Sequence, residues 1–344
     1  EERLIRAFQM ARRIFMKKRK LRMAIATMLL ASLTLIGCGA KETGAGKGEV
    51  FTIGVNQLVK HAALDASYQG FVDALEEAGY KGGENISIDY QNAQGDQSNA
   101  NTIASKLVND NNDLILAIGT PAAQAVANAT KDIPILVTAV TDPAASGLVK
   151  SNDAPGGNVS GTSDLTPVRR QIELLKQLVP DAMNVAVLYC SSESNSKIQA
   201  EMAIEAAKDL GINAVVATVS DSNEIQQVVQ SLVGTVDVIY APTDNIIAEG
   251  MPTVSAIANS NGIPVICGEE GMVDAGGLAT YGIDYYKLGW LTGKQAVRII
   301  EGEAETATMP IEYIPDDEYA LTINEEVATQ LGIEIPAELA AELE

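Results

Sequence analysis

The stretch that decides the fold is Asp113-Leu-Ile-Leu-Ala-Ile-Gly-Thr120. A short apolar run without polar alternation, closed by glycine, is typical of a strand buried on both faces of a parallel sheet. A similar stretch, Asp237-Val-Ile-Tyr-Ala-Pro-Thr243, follows 124 residues later, and Ile133-Pro-Ile135 has a counterpart in Ile263-Pro-Val265. Two copies of one strand-helix unit indicate two lobes with related folds.

Strands and helices alternate around both copies. In the first copy we predict strands over 51–55, 86–90, 114–118 and 135–140, with helices over 64–78, 97–109 and from 121 onward. In the second copy the predicted strands are 185–189, 214–219, 236–240 and 265–267, and the helices are 194–210, 223–232 and 252–261. Such alternation favours parallel sheets covered by helices. The predicted class is therefore α/β, with two doubly wound parallel-sheet lobes joined by a hinge.

The chain is expected to cross between the lobes three times. A Gly, Pro and Asn-rich run at 155–161 suits the first crossing, Gly282-Ile-Asp284 the second, and the segment 310–315 the third. Lobe 1 is accordingly predicted to comprise 50–158 plus about 284–312, and lobe 2 to comprise 159–283 plus about 313–344.

The first 49 residues are predicted to be a targeting and tethering segment. A basic run at 17–22 precedes a mostly apolar run at 23–36, which is too short for a bilayer span of about 20 residues but typical of a signal peptide. The run ends in Leu35-Ile-Gly-Cys38, which resembles the bacterial lipobox, in which cleavage precedes a cysteine that then carries diacylglycerol. We expect 1–37 to be upstream residues and signal peptide, Cys38 to be lipidated (with palmitate-like acyl chains), and 38–49 to be a flexible tether. A short membrane anchor with an incidental cysteine is the alternative.

Composition excludes several function classes. The 344 residues carry 24 Lys+Arg and 45 Asp+Glu, a net charge of -21, which argues against nucleic acid as a partner. A single histidine, His61, excludes mechanisms that need two, and three cysteines exclude a Cys-rich zinc cluster. No nucleophile motif such as Gly-x-Ser-x-Gly is present. We therefore expect neither catalysis nor a metal or other cofactor; Cys190 and Cys267 are expected to be buried thiols, although a disulfide is compatible with an extracellular setting.

Polar side chains follow several predicted strands at their carboxyl ends, where open parallel sheets bind ligands. Helix N-termini there favour a carboxylate, and an ionised Asp or Glu opposite favours an ammonium. The candidates from this argument are Gly119, Thr120, Pro121, Ser191, Ser194, Asn195, Ser196, Thr243, Asp244, Asn245 and Glu269, with His61, Tyr281 and Asp284 at nearby turns and crossings. Ordinary helix caps are the plain alternative for these residue types, and an exposed loop position is the alternative for His61.

A set of motifs in this order resembles the tryptophan/tyrosine-type family of ABC transporter substrate-binding lipoproteins. The motifs are Gly54-Val-Asn-Gln57 with His61 and Leu64-Asp65, Gly119-Thr-Pro-Ala-Ala123, Thr141-Asp-Pro143, Pro155-Gly-Gly-Asn-Val-Ser-Gly161, Tyr189 with Ser194-Asn-Ser196, Pro242-Thr-Asp-Asn245 and Ala279-Thr-Tyr-Gly282. The resemblance implies a type I periplasmic-binding fold that closes as a monomer on a small ligand, often an aromatic amino acid. It also implies handover to a membrane permease driven by an ATPase, and it adds Gln57, Leu64, Thr141 and Asp142 to the candidate ligand-binding residues.

With this resemblance, roles can be assigned to the candidate residues. We expect Thr120, Ser194 and Asn195 to hold a carboxylate, Asp244 to hold an ammonium, and His61 with Tyr281 to line the side-chain pocket. Four alternatives stay open: an enzyme on the same fold, a regulator like the lactose-repressor family, a lipoprotein that reports to a sensor kinase, and a ligand such as a nucleobase. A regulator would need a basic helix-turn-helix where this chain has its signal.

Overall fold

Two six-stranded sheets organise the computed structural model, which describes residues 50–343. The predicted signal peptide, the predicted lipid-attachment residue Cys38 and the tether lie outside the described residues. Within the described part of the chain, no helix has both the length and the apolar character needed to cross a membrane.

The first sheet is entirely parallel and has the order β11-β5-β4-β3-β1-β2. Its strands are β1 (Phe51–Gln57), β2 (Ile86–Asn92), β3 (Leu114–Ile118), β4 (Ile135–Val140), β5 (Val159–Ser163) and β11 (Glu312–Tyr313). All five residues of β3 are buried, as its continuous apolar sequence predicts.

The second sheet repeats this order as β12-β10-β9-β8-β6-β7. Its strands are β6 (Asn184–Cys190), β7 (Asn213–Val219), β8 (Val238–Ala241), β9 (Val265–Cys267), β10 (Ala279–Gly282) and β12 (Ala320–Ile323). Only β12 departs from the predicted parallel arrangement, because it pairs antiparallel to β10. The matching strand orders confirm the two related α/β lobes.

Helices join the strands and cover the sheets. They are α1 (Ala62–Glu77), α2 (Gln97–Asn109), α3 (Thr120–Ala129), α4 (Val168–Leu178), α5 (Ser194–Asp209), α6 (Ile225–Leu232), α7 (Asn245–Glu249), α8 (Met251–Ser260), α9 (Glu270–Asp274), α10 (Tyr285–Ile300), α11 (Glu325–Leu331) and α12 (Ala337–Ala340). Helix α3 begins at Thr120, with Gly119 as its N-cap. Gly119 has a φ of 92°, which a non-glycine residue adopts only with strain.

The lobe boundaries differ from the predicted ones at the first crossing. The segment 159–163, which was assigned to lobe 2, forms strand β5 and pairs with β4 in lobe 1. Gly161 explains the difference: at its φ of 143°, a Cβ would lie 2.0 Å from the carbonyl oxygen of Val137. The glycine therefore permits a close strand contact rather than marking a linker, and the first crossing follows Ser163.

The other two crossings lie near their predicted places. The second follows β10 and leads into α10, which packs against α1 of lobe 1. The third lies between Tyr313, the last residue of β11 in the first sheet, and Ala320, the first residue of β12 in the second. The chain therefore passes between the two sheets three times within the described residues.

Candidate functional site

A cavity lies where the two lobes face each other. The space between its lining atoms, including the part open to solvent, is about 280 Å³. Both lobes contribute to it, mostly from the turns after their parallel strands. Its lining consists of His61, Leu64, Ala139, Thr141, Asp164, Asn195, Thr243, Asp244, Asn245, Ala248, Glu269 and Tyr285.

His61 lies at the end of the turn after β1 and contacts lobe 2. The Gln57 side chain shapes this turn by donating to the Val59 carbonyl at 2.8 Å and to Asp65 Oδ1 at 2.7 Å. The His61 ring reaches Asn245 Oδ1 with its Nε2 at 3.4 Å. Burial lowers the pKa of His61 to about 4, so the ring is neutral at pH 7.

The lobe 2 wall is a hydrogen-bonded network around a buried carboxyl group. Glu193 Oε2 accepts from Asn245 Nδ2 at 2.6 Å and from Asn195 Nδ2 at 3.1 Å, while its Oε1 accepts from the Ile246 N–H at 3.3 Å. Asp244 caps α7, because its Oδ1 accepts from the Ile247 N–H at 2.8 Å and its Oδ2 from the Cys190 N–H at 2.6 Å. The network holds both asparagines in fixed orientations at the cavity.

Three buried carboxyl groups line this space, and a fourth, that of Glu193, lies behind Asn195 and Asn245; burial dominates the titration of all four. It raises the pKa of Asp164 to about 6, of Glu193 to about 8 and of Glu269 to about 7. Burial also raises the pKa of Asp244. Among the cavity-lining residues that the structure describes, there is no lysine or arginine to balance these groups. The site is thus short of positive charge and suits a ligand that carries one.

Direct hydrogen bonds also join the lobes beside the cavity. Gln199 of α5 donates to Thr141 Oγ1 of lobe 1 at 3.0 Å and also to Thr243 Oγ1 of its own lobe. Gln124 of α3 donates across the cleft to Ser194 Oγ at 3.2 Å. These contacts hold the lobes in a closed arrangement.

Eight of the residues predicted from the sequence line the cavity. They are His61, Leu64, Thr141, Asn195, Thr243, Asp244, Asn245 and Glu269. Of the others, Gly119 lies beside the site, since a Cβ there would be 3.6 Å from Asn245 Oδ1. Asp284 caps α10 and lines a neighbouring cleft with Glu269.

The remaining predicted residues are not part of the cavity lining. Thr120 is buried at the start of α3 and Pro121 follows it. Asp142 accepts from the Ala144 N–H at 3.0 Å in the turn after β4. Ser191 donates to the Val219 carbonyl, Ser194 accepts from Gln124, and Ser196 accepts from Asn195.

Tyr281 does not line the cavity, contrary to its predicted place in the side-chain pocket. Its hydroxyl donates to Glu342 Oε2 at 2.8 Å, and the guanidinium of Arg170 lies 4.0 Å from the centre of its ring. The aromatic ring in the cavity is that of Tyr285, four residues later, at the start of α10. Tyr285 was not among the residues predicted from the sequence.

Three further residues that bear on the site were not assigned from the sequence. Asp164 follows β5, and it was missed because that strand was interpreted as a crossing. Ala139 lies at an irregularity of β4 and has a φ of 53°, which sequence patterns do not reveal. Glu193 precedes α5 in a predicted turn, but nothing in the sequence indicates that its carboxyl group is buried.

The two cysteines among the described residues are buried free thiols. Burial raises the pKa of Cys190 to about 11 and that of Cys267 well above its ordinary value, so both are unreactive at neutral pH. Within residues 50–343, no group of three or more His, Cys, Asp or Glu side chains is placed to hold a metal ion.

Comparisons with known proteins agree with this architecture. Residues 52–343 match the family model of the ABC transporter substrate-binding proteins. A tyrosine-binding protein of Clostridioides difficile (strain R20291) is 46% identical over 328 residues, which cover 92% of this chain and 94% of that protein.

Two solved structures are also similar. One, from Streptococcus pneumonia in complex with L-Trp, is 41% identical, covers 86% of this chain and 98% of its own, and superimposes with a TM-score of 0.82. The other, a ligand-free, open substrate-binding protein with adhesive properties from Clostridium difficile, is 51% identical, covers 84% and 97%, and has a TM-score of 0.64. The fold is that of the type I periplasmic-binding proteins, and the chain belongs to the family of ABC transporter substrate-binding proteins.

Proposed function

We propose that this protein is a lipid-anchored, extracytoplasmic binding protein that closes its lobes on an aromatic L-amino acid and delivers it to an ABC permease. The observation that carries the proposal is a cavity between twin lobes whose polar groups come from both. A ligand that touches both lobes stabilises the closed arrangement by its greater affinity for that state. A permease can then distinguish loaded from empty protein by shape.

The closed arrangement is supported by the comparison of two relatives. The chain superimposes better on the relative bound to L-Trp than on the ligand-free, open relative, although the open relative has the higher sequence identity. Sequence similarity alone would favour the reverse order. The difference is consistent with a lobe arrangement like that of a ligand-bound protein.

The ligand class is supported by the lining of the cavity and by the relatives. The His61 and Tyr285 rings and the Leu64 side chain offer apolar surface, while buried carboxyl and amide oxygens offer acceptors. The relatives that bind tyrosine and L-Trp are 46% and 41% identical to this chain. An aromatic amino acid combines a planar apolar side chain with an ammonium, which matches the chemistry of this lining.

The test is isothermal titration calorimetry on the full chain in detergent, with L-tyrosine, L-tryptophan, L-phenylalanine, adenine and glucose as probes. We expect at least one aromatic amino acid to bind and adenine and glucose to give no heat. Binding of adenine or glucose alone, or of no probe, would contradict the proposal. Ligand uptake into vesicles that carry the permease then separates import from signalling to a kinase, since only import accumulates ligand.

The lipid anchor is proposed at Cys38, after the basic and apolar runs of the signal peptide. Without residues 1–37 the chain carries 15 Lys+Arg and 43 Asp+Glu, a net charge of -28, so anionic lipid repels it. Membrane attachment then depends on acyl chains alone. When cells that make the protein are separated into membrane and soluble fractions, the wild type should be found with the membranes and a Cys38→Ala variant should not. Retention of the variant in the membrane fraction would contradict lipidation at this residue.

A further inference from the structure

The cavity wall has two buried acceptor oxygens that lack a donor. Asp164 is 5% exposed, and its Oδ1 has no hydrogen-bond partner among the described residues, while its Oδ2 accepts from the Tyr285 hydroxyl at 2.9 Å. Asn195 is 2% exposed, and its Oδ1 likewise finds no partner within the described chain. Buried polar atoms are nearly always paired, so two unpaired acceptors lining one cavity indicate a missing donor.

The orientation of the Asn195 amide follows from its surroundings. Its Nδ2 lies within 3.3 Å of three acceptors: Glu193 Oε2, Ser196 Oγ and the Thr243 carbonyl. The Thr243 carbonyl can only accept, so an amide oxygen in that place would face an acceptor, and the amide therefore directs Nδ2 towards this group and Oδ1 elsewhere. The unpaired oxygen is therefore an acceptor by necessity.

The other carboxyl groups of the site already have donors. Both oxygens of Asp244 accept backbone N–H groups, and Glu269 Oε2 accepts from the Gly271 N–H at 2.6 Å as the cap of α9. Glu193 accepts from two asparagine amides and a backbone N–H. Asp164 differs from these groups, because one of its oxygens has no donor among the described residues. It also caps no helix and takes no part in the network around Glu193.

We propose that Asp164 Oδ1 and Asn195 Oδ1 together hold the ammonium group of the ligand, in place of Asp244. An ammonium has three N–H donors and no acceptor, so it suits two acceptors, one of which is a carboxylate. The proposal rests on the proposed function and deepens it, because it restricts ligands to those that carry a cationic amine. It also gives a reason for closure: Asp164 stands at the first lobe crossing and Asn195 on α5 of lobe 2, so the amine bridges the hinge and one lobe.

The test compares L-tryptophan with 3-indolepropionate, which lacks the amine, and with tryptamine, which lacks the carboxylate. For the full-length wild type in detergent, calorimetry should show at least about tenfold weaker binding of indolepropionate than of L-tryptophan, the scale of a hydrogen bond to a charged group. L-Tyrosine with 3-(4-hydroxyphenyl)propionate is the parallel pair. This arm requires no variant. Equal affinities within either pair would overturn the inference.

In the Asp164→Asn variant, affinity for the amino acid should fall at least about tenfold, while affinity for the analogue without the amine should change little. The discrimination, meaning the ratio of these two affinities, should therefore approach one. Asn195→Leu should act in the same direction. Asp113→Asn, an exposed aspartate at the amino end of β3, is the matched control and should retain the full discrimination. Thermal unfolding midpoints verify that each variant is folded.

The outcomes separate two failures. If the wild type binds aromatic amino acids and a folded Asp164→Asn variant discriminates as well as the wild type, this inference is wrong and the proposed function stands. If the wild type binds none of the aromatic amino acids, the proposed function fails, and the inference fails with it.

Discussion

Glu193 is a carboxyl group buried beside a second one, and this makes stability depend on pH. Burial and the neighbouring charge of Asp244 raise the pKa of Glu193 from 4.5 to about 8 in the folded protein. A raised folded-state pKa stabilises the fold fully below about pH 4.5, and that contribution is lost as the pH rises through about 8. The pKa values of Asp164, Asp244 and Glu269 are raised as well, so they act with the same sign.

We expect the unfolding free energy of the ligand-free protein to fall by a few kcal/mol between pH 5 and pH 8.5. Urea unfolding at four pH values checks this. A Glu193→Gln variant cannot ionise at this position and should show a shallower slope. Equal slopes for the two proteins would mean that Glu193 does not titrate in this range, whatever the remaining acidic groups contribute.

At the scale of elements, lobe 1 depends on close contact between α1 and α10. A Cβ at Gly289 would lie 1.8 Å from the Ser67 carbonyl oxygen, and one at Gly70 would lie 2.0 Å from the Tyr286 carbonyl oxygen. The two helices therefore approach each other through glycines. Because α10 begins directly after the second crossing, this contact also fixes the position of Tyr285 in the cavity.

A Gly289→Ala substitution should destabilise the protein by about 1–3 kcal/mol, because the methyl group forces the helices apart. In an unconstrained helix, the same substitution would stabilise by up to about 1 kcal/mol, so the sign itself is informative. Gly82→Ala is the control, since a Cβ there meets nothing within 4 Å. Chemical denaturation of both variants gives the comparison, and a stabilised Gly289→Ala protein would refute the close contact.

At the scale of the whole molecule, the closed arrangement is held by side chains as well as by ligand. Gln199 is fully buried and bridges Thr141 of lobe 1 and Thr243 of lobe 2. Its contact with Thr141 exists only while the lobes are together. Because apparent affinity scales with the fraction of protein in the binding-competent state, a residue that favours closure strengthens binding without touching the ligand.

We expect Gln199→Leu to enlarge the radius of gyration of the ligand-free protein in X-ray scattering and to weaken ligand binding several-fold. Saturating ligand should restore the compact form. The matched control is Gln177→Leu, which changes an exposed glutamine of α4 and should leave both readouts unchanged. Scattering curves that coincide for wild type and Gln199→Leu, with equal affinities, would exclude a role for Gln199 in closure.

Much of the candidate site could be predicted because its residues follow strands that the sequence makes evident. The runs at 114–118 and 265–267 were predicted with the bounds that the structure has, since a buried parallel strand is continuously apolar. The turns after β1, β6, β8 and β9 then supplied His61, Asn195, Asp244 and Glu269, while Thr141 after β4 came from the family resemblance. Strand β5 was missed because Val-Ser-Gly-Thr-Ser is largely small and polar, and Asp164 was missed with it.

The amino-acid sequence by itself determined the twin α/β lobes and the carboxyl ends of the strands as the place of the cavity. Local hydrophobic periodicity and turn residues specify these features, and the internal repeat shows the same pattern in both lobes. Only the tertiary structure decided which carboxyl groups are already capped and which retains a free oxygen, and that Tyr285 rather than Tyr281 faces the cavity. Burial and hydrogen-bond partners arise from residues far apart in the chain, so no local pattern records them.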